Sequence, residues 1–246
     1  MEFALMNREQ KAIQPYSLDL AGIRDLYSEI LAAQEEVGGT LTFRAKVPAG
    51  GGKSFDILTG NEDMDTSTPS LVGVVIHTQK CNAYFDEDNV GNTPPICSSE
   101  DSVCGTIRES GEIRYCNECP LNKFNSSAKG SGKACKNMIR LYVLIEGSPV
   151  PIMLTLPPTS IRAWQSYRTS VLAMNRLRPE EAVTEFTLGT ATNASGVKYS
   201  VVKPKLLGRL SEEMSQVATF FAQGFKSTIE LSADDYNRGD GEDSHA

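Results

Sequence analysis

Five of the six cysteines of this 246-residue chain lie between Cys97 and Cys135, and Cys116-Asn117-Glu118-Cys119 stands at the centre of that stretch. Two cysteines separated by two residues can grip one metal ion from a single turn. Outlying cysteines at loop-length distances can then complete a tetrahedron of thiolates at about 2.3 Å. The ligand set predicted by this spacing is Cys97, Cys116, Cys119 and Cys135, with Cys104 as an alternate first ligand. Zinc suits such a set, one ion per chain. A catalytic zinc keeps an open position and commonly uses histidine, whereas this chain has only His77 and His245, so the predicted role is structural. The nucleobase-deaminase pattern is also missing: Thr78-Gln79 follows His77, and Tyr115 precedes the knuckle. The competing readings are a disulfide framework or ordinary buried thiols. Disulfides require an oxidising compartment, and Met1–Arg8 have neither the basic start nor the apolar run of a secretion signal. The expectation is a cytoplasmic protein whose metal supplies on the order of 10 kcal/mol to a loop without a core of its own.

Around the cysteines the charge is local. The chain carries 24 Lys and Arg against 31 Asp and Glu, a formal net charge of −7. From Gly105 to Arg140, however, Arg108, Arg114, Lys123, Lys129, Lys133, Lys136 and Arg140 face only Glu109, Glu112 and Glu118. Aromatic residues are interleaved with these cations: Tyr115, Phe124 and Tyr142. Cations that follow phosphates, beside rings on which bases stack, are the ingredients of single-strand nucleic-acid binding. Both features also have plain readings, a solvated basic loop and core aromatics. The last residues, from Ala233 to Ala246, are acidic and without apolar periodicity, which predicts a disordered tail. No stretch is apolar enough to span a bilayer.

Two other function classes stay open. An enzyme could hold magnesium with Asp86, Glu87 and Asp88, but consecutive carboxylates commonly form a solvated turn and no general base stands out, so a non-enzyme is predicted. A zinc-stapled module for protein interaction or transcription regulation is the second alternative. Neither later helix carries the basic face of a duplex reader. Gly50-Gly51-Gly52-Lys53-Ser54 resembles the end of a phosphate loop, yet Val47 occupies the position of the required first glycine.

The elements that must position these residues can be read in order. Ser17 caps an apolar stripe at helical spacing that stops at Gly38-Gly39, so residues 1–38 form an N-terminal helical segment. The core domain is predicted over 39–210, with the zinc loop inserted at about 95–137. It begins with a hairpin, Thr40–Val47 and Ser54–Leu58, followed by a buried strand from Leu71 towards Phe85. After the zinc loop come strands at Met138–Ile145 and Val150–Leu156, a helix carrying Ile161, Trp164, Val171 and Leu172, and strands at Val183–Thr190 and Val197–Val202. Trp164 and Phe186 are expected in the core. In Met138–Ile145, alternation puts Ile139, Leu141, Val143 and Ile145 on one face and Arg140 with Tyr142 on the other, where they are predicted to border a groove. A C-terminal helix over 211–232 precedes the tail at 233–246. This order predicts a mainly β, α+β protein, an OB-fold-like five-stranded barrel with a zinc-binding loop between its first two strands and flanking helices.

An N-terminal helix, a barrel with a cysteine-zinc insertion in a basic loop and an acidic C-terminus together resemble the single-stranded DNA-binding proteins of bacteriophages. The segments Cys116–Ser127, Gly130–Lys136 and Leu154–Ser160 are similar to stretches in phage proteins of this kind, and the resemblance covers roughly residues 70 to 205. It departs from the helix-destabilising protein of T-even phages, whose zinc set includes a histidine. The resemblance implies a protein that coats and protects single-stranded DNA in replication and recombination. It further implies a tail that competes with DNA and meets partner proteins, and an N-terminal helix able to bind a neighbouring copy along the strand.

Overall fold

The structure is a computed structural model that describes residues 15–16, 42–85, 94–128, 130–148, 150–193 and 196–228. The expected N-terminal helix, the acidic tail, Lys129 and the Asp86–Asp88 carboxylates lie outside the described residues. In chain order the strands are β1 (Pro15–Tyr16), β2 (Phe43–Lys46), β3 (Phe55–Leu58), β4 (Thr66–Thr68), β5 (Ser70–Tyr84) and β6 (Cys97–Ser99). They continue as β7 (Cys104–Ile107), β8 (Ile113–Tyr115), β9 (Lys136–Ile145), β10 (Ile152–Leu156), β11 (Ala182–Thr192) and β12 (Lys198–Leu210). Helix α1 (Pro158–Ser166), prolonged by a wider π turn over Tyr167–Leu172, separates β10 from β11, and α2 (Glu212–Thr228) follows β12. No helix among the described residues is long and apolar enough to cross a membrane.

The strands join in one mixed sheet of order β1-β12-β11-β5-β9-β10-β2-β3-β4, with β6, β7 and β8 branching from the far end of β5. The chain is thus mainly β, as its alternating segments predict, but the sheet is open. A closed ring of the five expected strands needs five ladders, and four of them form: β5 with β9, β9 with β10, β5 with β11, and β11 with β12. The fifth, between β10 and β12, is absent among the described residues, because β2 takes the free edge of β10 in parallel. A single bridge, Ala49 to Tyr199, touches across the gap. It is reinforced by Thr190 Oγ1 and Ser200 Oγ, which donate to the carbonyls of Gly51 (2.7 Å) and Gly52 (2.9 Å). The glycine run therefore ties the β2–β3 turn to β11 and β12.

Alternation along β9 gives two cores. Ile139, Leu141 and Val143 face α1 and its extension, packing with Trp164, Tyr167 and Phe186 as expected of those aromatics. Tyr142 and Leu144 point the other way and meet Ala218, Phe221 and Phe225 of α2, together with Val74, Met153 and Val183. The assignment of Tyr142 and Arg140 to a groove is corrected here. Tyr142 is 0% exposed and Arg140 2%. The reading of opposite faces holds, but α2 packs on the face that was left for solvent. The Tyr142 ring lies edge-on to Phe225 at 4.9 Å, tilted against His77 at 5.7 Å, and its hydroxyl donates to Gln79 Oε1 at 3.1 Å.

Strand β12 runs past the predicted Val202 because Pro204 is tolerated there. It pairs with Phe186 on β11, and among the described residues the other edge of β12 carries the short β1, at Arg209–Leu210, and the isolated bridge at Tyr199, both away from Pro204. Tyr142→Ala should lower unfolding stability by about 3–5 kcal/mol, the scale for removing a large buried aromatic. Tyr142→Phe, which removes only the hydroxyl, should cost about 1 kcal/mol. Urea denaturation of both variants checks this; equal, small losses would return Tyr142 to the surface.

Candidate functional site

The insertion between β5 and β9 contains three short antiparallel strands, β6, β7 and β8, followed by the cysteine knuckle. Asp101 shapes the β6–β7 turn by accepting from Val103 N (2.7 Å), Cys104 N (3.0 Å) and Ser99 Oγ (3.0 Å). These bonds, that from Val103 foremost, hold its carboxyl below the usual range. Cys116 then leaves β8 with its amide bonded to Val103 O (2.8 Å), and the turn brings Cys119 N to Tyr115 O at 3.1 Å. A 3₁₀ turn at Pro120–Asn122 follows, and Cys135 N reaches back to Leu121 O at 2.9 Å, seating the last cysteine beside the first three.

Cys97, Cys116, Cys119 and Cys135 line one cavity of about 110 Å³, also bordered by Asn82, Tyr84, Ile107, Arg114 and Asn122. Gly105 makes this convergence possible. A Cβ there would stand 3.0 Å from Cys97 Sγ and 3.7 Å from Cys116 Sγ. Cys104 does not border the cavity: it pairs with Tyr115 across the β7–β8 ladder, and its neighbour Gly105 takes the inward face. Burial, then the charges of Cys116, Cys119 and Cys97, push the Cys135 thiol up to about 12, while Lys133 pulls it down. Burial, then Cys116 and Cys119, likewise raises Cys97, against Arg114. The described residues contain no group of three or more Cys, His, Asp or Glu side chains gathered at metal-holding distance. What the structure provides is four soft donors around one small space, suited in type and number to zinc. A bound ion would have to draw the thiols in and displace their protons.

On the α2 side of the sheet a larger cleft, of about 720 Å³, separates the insertion from β2 and β10. Arg44, Lys46, Lys133 and Lys136 line it with Phe85, Phe124, Met138, Met153 and the Pro157–Thr159 start of α1, and its described lining includes no carboxylate. Phe124 stands at the tip of the loop before Cys135, 74% exposed, with Lys133 Nζ 5.4 Å from its ring centroid. Lys133 is fixed from behind as well, its ammonium donating to Asn122 Oδ1 (3.1 Å) and Asn137 Oδ1 (2.8 Å).

The predicted nucleic-acid residues thus separate into groups. Phe124, Lys133 and Lys136 meet in the cleft. Arg108, Arg114, Tyr115 and Lys123 lie exposed elsewhere on the insertion. Arg114 is bidentate to Glu112 at 2.9 and 3.2 Å, and Lys123 Nζ donates to Asn117 O at 2.9 Å, so both cations have partners already. Arg140 and Tyr142 are interior. The sequence reading missed Arg44, Lys46 and Phe85. The first two alternate on β2, a signal of one shared basic face that was visible but was absorbed into the hairpin. No protein-family profile matches the chain, nor does any curated protein or solved structure.

Metal analysis of protein purified without added zinc should give about one equivalent per chain, lost in Cys116→Ser. Gly105→Ala, which crowds Cys97, should weaken zinc in chelator competition by about tenfold or more, the scale for altering groups that orient ligands. Full zinc retention in both variants would mean that the cysteine cavity is not the metal site.

Proposed function

We propose that this chain binds single-stranded nucleic acid, DNA in the first instance, in the cleft between the insertion and the β2–β10 edge, and that a structural zinc held by Cys97, Cys116, Cys119 and Cys135 fixes one wall. The observation that carries the reading is the lining itself: four cations and two phenylalanines around about 720 Å³, with no described carboxylate, on a chain of net charge −7. A non-specific strand binder needs that concentration of positive charge beside accessible rings. The pairing pattern supports it too, since four of the five ladders of an OB-like barrel are present, and β9 and β10 of that set line the cleft. When bound, zinc supplies cross-linking of the loop rather than reaction chemistry. The knuckle, Gly105 and the Leu121–Cys135 bond bring the donors together, and the same loop carries Phe124 and Lys133 into the cleft.

The acidic residues after Thr228 fit this reading. Phe225, near the end of α2, packs on Tyr142, and the ladder from Tyr142 through Met153 to Arg44 leads directly into the cleft lining. Carboxylates tethered there compete with phosphate for the same cations, and strand binding frees them for replication or recombination partners. Exposed Val103, Ile113 and Tyr115, at 58, 67 and 61%, favour a second reading in which the insertion docks a protein.

Fluorescence anisotropy with single-stranded DNA, duplex DNA and RNA of equal length, over a salt series, tests the reading. Lys46→Ala and Lys136→Ala should each reduce the slope of log affinity against log salt by roughly 0.7, one single-strand phosphate contact. Phe124→Ala should cost about 1–3 kcal/mol at every salt concentration with the slope nearly unchanged. Binding untouched by all three would leave the protein-docking reading in its place. Truncation before Asp234 should raise single-strand affinity, most at low salt where screening is weak; weaker binding would remove the tail as a competitor.

A further inference from the structure

The cysteine cavity and the cleft share a wall. Cys135 lines both, and Lys133, two residues earlier, lines the cleft while its ammonium is held by Asn122 and Asn137. Asn122 Nδ2 continues the chain of bonds to Cys116 O at 2.8 Å, inside the knuckle. In the other direction Asn137 Nδ2 donates to Asn82 Oδ1 at 2.7 Å, and Asn82 is 2% exposed at the edge of the cysteine cavity. One polar network therefore runs from the knuckle, through a cleft cation, to the paired end of β5 and β9. Its members are buried or half-buried, where the geometry of one hydrogen bond constrains the next.

Resting on the reading above, we propose that Lys133 is a positioning residue that couples the two sites, so that zinc in the cysteine cavity and a single strand in the cleft each tighten the binding of the other. The loop from Cys116 to Cys135 has no apolar core of its own, so ordering it costs conformational entropy. Zinc meets that cost from one side, leaving Lys133 and Phe124 preset for the strand; the strand meets it from the other. Reciprocity requires the two enhancements to be equal. The sign is informative. On loading, the four cysteines would form a zinc–tetrathiolate unit of net charge −2, their thiol protons passing to solvent, and that unit by charge alone repels phosphate. Through-space electrostatics therefore predicts weaker strand binding by the loaded protein, and mechanical positioning predicts stronger.

The experiment uses the full chain, reduced, in zinc-loaded and metal-free forms. Affinity for oligothymidylate is read by anisotropy, and zinc release to a chromophoric chelator is read with and without the oligonucleotide. Loaded protein should bind at least about fivefold more tightly, the low end of typical coupling, and the oligonucleotide should raise zinc affinity by the same factor. In Lys133→Met, which keeps the stem and removes the donors, both factors should fall to near one with zinc still bound. Lys133→Arg should restore part of the coupling, and Lys136→Ala should weaken strand binding in both forms with their ratio unchanged. If Lys133→Met takes up no zinc, Asn137→Ala gives the same reading by removing one acceptor. A ratio of one or less in the wild type, or an unchanged ratio in both network variants, overturns the coupling. Loaded wild type that binds no oligonucleotide overturns the single-strand reading and the coupling with it. Strand binding by a protein that takes up no zinc overturns only the metal assignment and the coupling.

Discussion

The pairing of β5 with β9 is the constraint on which the other parts depend, because these strands are longer than the helices that cover them. Strand β5 has 15 residues, about 50 Å at the usual rise, and it pairs with β9 from Gly73 to Ala83. Helices α1 and α2 bury the half near Val74 and Val143 from opposite sides. The half near Asn82 and Lys136 reaches beyond both helices. A ladder left bare there would expose Cys81, Ala83 and Met138, which form a small buried cluster with Phe85. The insertion is chain threaded between the two strands at that end, and it grows outward as β6, paired to β5 from Asn82 to Tyr84. A loop this small cannot bury enough apolar surface to stabilise itself. It relies on the ladder on one side and, in the proposed state, on a metal on the other.

The same length mismatch creates the cleft. On the α2 face, the row His77–Tyr142–Met153–Arg44 begins under Phe225 and ends in open lining. Further along, Met138 and Lys136 belong to the same face of β9 but lie past the helix. The cleft lies between the rise of the insertion, the β2–β10 edge of the sheet and the start of α1. Its shape follows from element lengths, and its charge from the residues that those lengths leave uncovered. The failure of the barrel to close has a related cause: β2, sitting on β10, brings Arg44 and Lys46 to the cleft and keeps β12 away. A closed five-strand ring would have lacked both cations.

Much of this was legible in the chain, for identifiable reasons. The knuckle spacing singled out the cysteine quartet, and β5, β9, β10 and β11 were long enough for apolar runs or alternation to show. The strands of the insertion were not, since β6 and β8 have three residues each, too few for a period-two pattern to stand out from chance. The burial of Tyr142 was hidden for another reason. The apolar stripe of α2 reveals a helix with a buried face, while its destination depends on a contact between Phe225 and Tyr142, more than 80 positions apart in sequence. Cys104 illustrates the limit of spacing. Its distance from the knuckle suits a ligand as well as that of Cys97, and only the register of β7, with Gly105 facing the sulfurs, distinguishes them.

The basic character of the insertion then acquires two physical origins that the sequence presents as one. A zinc–tetrathiolate carries net charge −2, and such a unit in a half-buried pocket needs cations nearby. Burial foremost raises the Cys97 and Cys135 thiols, and Arg114 and Lys133 respectively oppose that shift in part. Arg114 is moreover shared with Glu112. The cleft itself is lined by Lys133, by Lys136 at the start of β9, and by Lys46 and Arg44 from β2. Counting lysines and arginines along the insertion therefore misses the share of the cleft's positive lining that β2 supplies. In the proposed state a strand would meet two parts of the chain that are distant in sequence, β2 and the loop before Cys135, and the cysteine cavity borders the second of them.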